Sequence, residues 1–150
     1  MKGVVLAGGT GSRLDPLTRI TNKHLLPVHD RPMVLYAIEA LRQAGVRDLM
    51  VVTGGEHVED FRRLLGDAFA YGNQERAGGI AEALGLARDF IGDDRVVVML
   101  ADNVFGGSIE YVTIGRSKIG SRCLFVIRVS GCSREPVPPA RMTPFIATRC

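Results

Sequence analysis

Cysteine is scarce in this 150-residue chain: Cys123, Cys132 and Cys150 form an odd set with no C-x-x-C pair. That excludes a disulfide framework and a structural zinc site. His24, His29 and His57 lack metal-ligand spacing, and none accompanies a serine or cysteine nucleophile signature, so they read as structural or solvent-facing. The net charge is only +3, with no long basic run, which argues against a nucleic-acid partner. The basic excess leans on the far end, where Arg116, Lys118, Arg122, Arg128, Arg134, Arg141 and Arg149 stand against Glu135 alone. No apolar stretch approaches membrane-spanning length, and the opening apolar run is too short for a signal peptide. The expectation is a reduced, cytoplasmic setting without a membrane partner.

What is present suits one domain with a hydrophobic core, since 46% of the residues are hydrophobic. Val4 to Ala7 reads as a continuous buried strand of the parallel-sheet kind. Pro16, Pro27 and Pro32 rule out a long helix before the thirties. Met33, Tyr36, Ala37, Ala40, Leu41 and Ala44 then recur at helical spacing and stop at Gly45. Leu49 to Val52 is a second strand, and Val58, Phe61, Leu64 and Leu65 mark a second helix. Phe69 to Tyr71 makes a very short third strand. Ile80, Ala83, Leu84, Ala87 and Ile91 form a third helical stripe, and Val96 to Leu100 is the clearest strand, ending on Ala101-Asp102-Asn103. This alternation predicts an α/β fold with a Rossmann-like, doubly wound, mostly parallel sheet. Beyond Phe105 the pattern deteriorates. Cys123 to Val129 reads as one more strand, and from about Gly131 no period remains, so that stretch is expected to be mobile.

Residues 8 to 13, Gly-Gly-Thr-Gly-Ser-Arg, directly follow the first strand. Glycines let backbone N–H groups approach an anion, and Arg13 supplies a countercharge. Leu14 stands where a dinucleotide fingerprint needs its third glycine, and no Gly-Lys-Ser/Thr follows, so neither that fingerprint nor a Walker A loop is present. The absence of a ribose-binding acid after the second strand, at Thr53-Gly54-Gly55, also disfavours a nicotinamide enzyme. Lys23 is either a phosphate ligand or an ordinary surface charge. Asp102, at the end of an apolar strand, is either a helix cap or a Mg²⁺ ligand working with substrate phosphates. Gln74, before Gly78-Gly79, is either a reader of a base edge or a polar helix entry. In doubly wound sheets ligands sit beyond the carboxyl ends of the strands, so Gly8 to Arg13 and Asp102 are expected to face one crevice.

Taken in order, Leu6-Ala7-Gly8-Gly9-Thr10-Gly11-Ser12-Arg13-Leu14, Pro16-Leu17-Thr18, Asn22-Lys23-His24-Leu25-Leu26-Pro27-Val28, Arg31-Pro32-Met33 and Ala101-Asp102-Asn103-Val104-Phe105 resemble the sugar-1-phosphate nucleotidylyltransferases. The resemblance is nearest the glucose-1-phosphate thymidylyltransferase branch and covers residues 1 to about 109. It implies attack of a sugar 1-phosphate, glucose 1-phosphate by that branch, on the α-phosphorus of a nucleoside triphosphate, dTTP by that branch, with pyrophosphate leaving. It implies nucleotide binding by Leu6, Ala7, Gly8, Gly9, Gly11, Arg13, Gln74 and Gly79, catalytic charge neutralisation by Arg13 and Lys23, and Mg²⁺ at Asp102. The partners it implies are these small molecules, with homo-oligomerisation open.

Two departures carry expectations of their own. The segment between Asp67 and Gln74 is several residues shorter than the family pattern, which predicts a third strand nearly lost and Gln74 out of register. After Gly107 none of the family's sugar-binding motifs follows. The expected division is therefore a nucleotide-binding core over 1–109 and a divergent tail over 110–150 with one strand. The alternative function is a truncated, catalytically incomplete nucleotide-binding module.

Overall fold

A computed structural model describes residues 1–9, 11–76, 78–105, 109–113 and 124–129, the last two ranges as strands only. Strand β1 (Lys2–Ala7) is followed by a loop region holding two single 3-10 turns, Ser12–Leu14 and Lys23–Leu25, and a small antiparallel ribbon, β2 (Pro27–Val28) with β3 (Arg31–Pro32). Helix α1 (Met33–Gln43), strand β4 (Asp48–Gly54), helix α2 (Val58–Leu65) and strand β5 (Ala70–Gln74) come next. Helices α3 (Gly79–Leu86) and α4 (Arg88–Ile91) lead to strand β6 (Val96–Leu100), and the order closes with β7 (Ile109–Thr113) and β8 (Leu124–Val129).

The main sheet has the order β5-β4-β1-β6-β8-β7. β1 pairs in parallel with β4 and β6, β4 with β5, and β6 with β8; only β7, at the edge, runs antiparallel. The chain first winds outward from β1 through β4 to β5, then crosses back to lay β6 on the other side of β1. The reversal leaves a crevice at the carboxyl end of β1, the usual ligand position in such sheets.

Alternation along β1 divides the core. Val5 and Ala7 face α1 and α2, joining Val34, Ala37, Leu41, Val51, Phe61 and Met99 in one fully desolvated cluster. Val4 and Leu6 face the other way, onto Ala83, Ala87 and Ile91 with Met50 and Val52. Both faces are apolar because helices cover both. Among the described residues no helix is long and apolar enough to cross a membrane.

Three sequence expectations change. β5 is a full strand in register with β4 (Thr53 opposite Asn73, Gly54 opposite Gln74), so the shortened segment does not displace Gln74. Gly72 and Asn73 masked it, being poor strand formers; a Cβ on Gly72 would lie 2.8 Å from Met50 Cε, the flexible end of a side chain that would have to shift. The third helical stripe breaks at Ala87 into α3 and α4. β7 and β8 extend the same sheet across the expected 109/110 division, giving two strands there where the sequence suggested one. Residues from Gly131 onward and all three cysteines lie outside the described residues.

Candidate functional site

Register places the ends of the central strands side by side. Leu6 pairs with Leu100, so Gly8 and Asp102 each stand two residues beyond a paired position on adjacent strands. Gly54, at the end of β4, lies so close that a Cβ there would sit 2.8 Å from the Gly8 carbonyl oxygen. A cavity of about 280 Å³ opens over these ends. Its walls are Leu6, Gly8, Gly9, Lys23, His24, Gln74, Gly79, Ile80, Ala83, Leu100 and Asp102.

Leu6, Leu100, Ile80 and Ala83 supply the larger apolar side chains of the lining, and Lys23, His24, Gln74 and Asp102 its polar ones. Gln74 is buried, and its Nε2 donates to the Gly79 carbonyl at 3.1 Å. A Cβ on Gly8 would fall 2.6 Å from Gln74 Oε1, so the amide occupies the space that Gly8 leaves. Gly79 opens α3 at φ +83, a conformation that favours glycine, and nothing lies within 4 Å of where its Cβ would be.

Two of the polar residues form a charge pair bridging distant parts of the chain. Lys23 Nζ donates to Asp102 Oδ2 at 2.8 Å, both side chains being partly exposed. Burial alone would push the Asp102 carboxyl up. The hydrogen bond and charge of Lys23, with a smaller contribution from His24, more than offset that and hold it below the ordinary carboxylate range. The lysine stem lies along the glycine loop: a Cβ on Gly9 would stand 3.4 Å from Lys23 Cε, and one on Gly11 3.0 Å from Lys23 Cβ.

His24, beside Lys23, is almost fully buried and also lines the cavity. Its Nδ1 lies 2.7 Å from Asn22 Oδ1, an oxygen that also accepts the His24 backbone N–H. Since that oxygen can only accept, Nδ1 carries the proton. Burial, reinforced by the Lys23 charge, lowers the imidazole pKa to about 4, with Asp102 and the Ala7 carbonyl opposing.

Of the residues singled out in the sequence, Leu6, Gly8, Gly9, Lys23, Gln74, Gly79 and Asp102 meet at this cavity. Ala7, Gly11 and Arg13 do not. Ala7 is fully buried in the core and offers only its carbonyl, which accepts from Asn22 Nδ2 at 3.0 Å. Gly11 sits beyond the rim at φ +65, its carbonyl held by Thr18 Oγ1. Arg13 lies on the following 3-10 turn with its side chain exposed. Asn22 is what residue-level reasoning passed over, and His24, read there as structural or solvent-facing, is buried; the signal was a polar Asn-Lys-His turn running straight into Leu-Leu.

The family model for "nucleotidyl transferase" matches residues 2–120. The chain belongs to the nucleotidyl transferase family. It is 45% identical over 113 residues to a glucose-1-phosphate thymidylyltransferase of Neisseria meningitidis, covering 71% of this chain and 39% of that protein. A Mycolicibacterium smegmatis protein of the same name is 44% identical with the same coverages. Among solved structures, one from Bacillus anthracis described as a glucose-1-phosphate thymidylyltransferase in complex with a sucrose superposes with a TM-score of 0.69 at 52% identity, covering 72% of this chain and 46% of that one. The CTP:phosphocholine cytidylyltransferase of Streptococcus pneumoniae follows at 0.59 and 25% identity, covering 75% and 53%. The chain thus spans about two fifths of the length of these curated relatives.

Proposed function

We propose that this chain binds a nucleoside triphosphate, dTTP first among them, and belongs to an activity that transfers its nucleotidyl group to a sugar 1-phosphate, glucose 1-phosphate by likeness to its relatives. The observation that carries the reading is the convergence of Gly8, Gly9, Lys23, Gln74, Gly79 and Asp102 on one cavity with an apolar wall. The base lies against Leu6, Leu100 and Ile80, and the Gln74 amide meets its polar edge while bare Gly79 leaves room for the ring. The triphosphate runs over Gly8 and Gly9 and along the loop toward Gly11 and Arg13.

In the reaction, an oxygen of the sugar phosphate attacks the α-phosphorus, a new P–O bond forms in line, and the bond to the β-phosphate oxygen breaks to release pyrophosphate. Positioning and charge neutralisation do most of the work in such chemistry. Lys23 neutralises the reacting phosphates, and Arg13 stabilises the departing pyrophosphate. Asp102 fits a divalent cation, Mg²⁺ in this proposal. Its donor set is one partly exposed carboxylate, and no group of three His, Cys, Asp or Glu among the described residues makes a protein-only cage. That suits a cation that keeps water and substrate phosphates as its other ligands. When bound there it supplies positive charge to the phosphates.

A second reading is nucleotide binding without transfer. One assay separates the two. With dTTP, glucose 1-phosphate and Mg²⁺, transfer yields pyrophosphate that Asp102→Asn abolishes; binding alone raises the melting temperature with dTTP concentration and yields none. No thermal shift with any nucleoside triphosphate contradicts both.

A further inference from the structure

Asn22 is a polar side chain almost wholly removed from solvent at the base of the cavity rim. Three hydrogen bonds tie it to its surroundings. Nδ2 donates to the carbonyl of Ala7, the last residue of β1, at 3.0 Å. Oδ1 accepts the His24 N–H at 3.0 Å and so caps the Lys23–Leu25 turn, and it also receives His24 Nδ1 at 2.7 Å. One amide thus bolts the turn carrying Lys23 to the strand that carries the glycine loop. The bracketed residue, Lys23, is the one that lies along Gly9 and reaches Asp102.

We infer that Asn22 is a positioning residue: its amide fixes where the Lys23 ammonium stands, and His24 is the strut on its other side. Lysine has four rotatable side-chain bonds, so an ammonium held at one place over a glycine loop needs its backbone clamped and its stem guided. Asn22 supplies the clamp and the bare faces of Gly9 and Gly11 supply the guide. For phosphate binding the inference rests on the function proposed above; for the placement of Lys23 it stands without any ligand.

Two measurements on the full chain test it. The first is the acylation rate of Lys23 by an amine reagent, read by peptide mass spectrometry without ligand, with Lys2 as internal reference. Asn22→Ala removes the clamp. Asn22→Ser keeps an oxygen able to cap the turn but is too short to reach Ala7, which guards against a variant that fails to fold. Both are expected to speed Lys23 labelling about tenfold, toward the rate in Asp102→Asn, while Lys2 is unchanged. An unchanged Lys23 rate in folded Asn22→Ser overturns the inference. The second is a double-mutant cycle on dTTP affinity. Asn22→Ala is expected to weaken binding about tenfold in the native background and to add nothing in Lys23→Ala. Equal losses in both backgrounds mean that Asn22 does not act through Lys23. If the native chain binds no dTTP, the functional reading fails and the labelling result alone decides this one.

Discussion

Acid should destabilise the fold through His24 from about pH 6.5 downward, above the range where ordinary carboxylates titrate. The imidazole is almost fully buried, and burial together with the neighbouring Lys23 ammonium lowers its pKa to about 4 from the ordinary 6.5. A folded-state pKa below the unfolded one means that the unfolded chain binds the extra proton first. Stability is therefore unaffected above pH 6.5, falls as pH drops below it, and stops falling once pH passes the folded value. Linkage between the two values gives a loss of about 2 kcal/mol at pH 5 and about 3 kcal/mol at pH 4. The assay is urea unfolding of native chain and His24→Gln at several pH values. Glutamine keeps an uncharged donor for Asn22 Oδ1 but cannot titrate. The native chain should lose about 2 kcal/mol relative to His24→Gln between pH 7.5 and pH 5, because the carboxylates other than Asp102, on which His24 has a small effect, titrate alike in both. A stability difference that stays constant across this window refutes the reasoning.

Other expectations follow from the same structure. Phe61→Ala empties the largest fully buried side chain among the described residues, on the inner face of α2, and should cost about 3–5 kcal/mol in urea unfolding; a loss below about 1 kcal/mol contradicts the packing described. Gly8→Ala drives a Cβ to within 2.6 Å of Gln74 Oε1, the mobile end of a side chain, so stability should change by less than about 1 kcal/mol while dTTP affinity falls at least about tenfold by calorimetry. Lys23→Met breaks a partly exposed pair and should cost no more than about 1 kcal/mol. That advantage of the native chain should be present above the ordinary carboxylate value of 3.8 and fade as pH falls through the lower folded value of Asp102. Arg13→Ala, at an exposed side chain, should leave the melting temperature unmoved and still weaken triphosphate binding.

Where sequence and structure agree, the reason is periodicity backed by punctuation. Val96 to Leu100 is a pure apolar run and Val58 to Leu65 a clean helical stripe closed by Gly66, and both elements have those bounds. β5 was harder to see because its carboxyl half, Gly72-Asn73-Gln74, looks like a turn; pairing with β4 overrides those local preferences. β7 has a partner that is its sequence neighbour only across ten intervening residues, and nothing in Ile109–Thr113 alone announces an antiparallel edge. At the site, strand ends pointed to Gly8 and Asp102 and the family resemblance to Lys23, yet neither gave the ion pair joining Lys23 and Asp102, which depends on β1 and β6 being neighbours. Asn22 and His24 were illegible for a different reason. Their importance is a matter of burial and of who donates to whom, and neither leaves a pattern in a string of letters.

The central claim is that the crevice at the carboxyl ends of β1, β5 and β6 receives a nucleoside triphosphate. Titrating the isotopically labelled 16.2 kDa chain with dTTP and Mg²⁺, and following backbone amide resonances, tests it most directly. The account predicts saturable shifts concentrated at Gly8, Gly9, Lys23, Gln74, Gly79 and Asp102. Shifts centred on the β2–β3 ribbon or the outer face of α2, with those six unmoved, would contradict it.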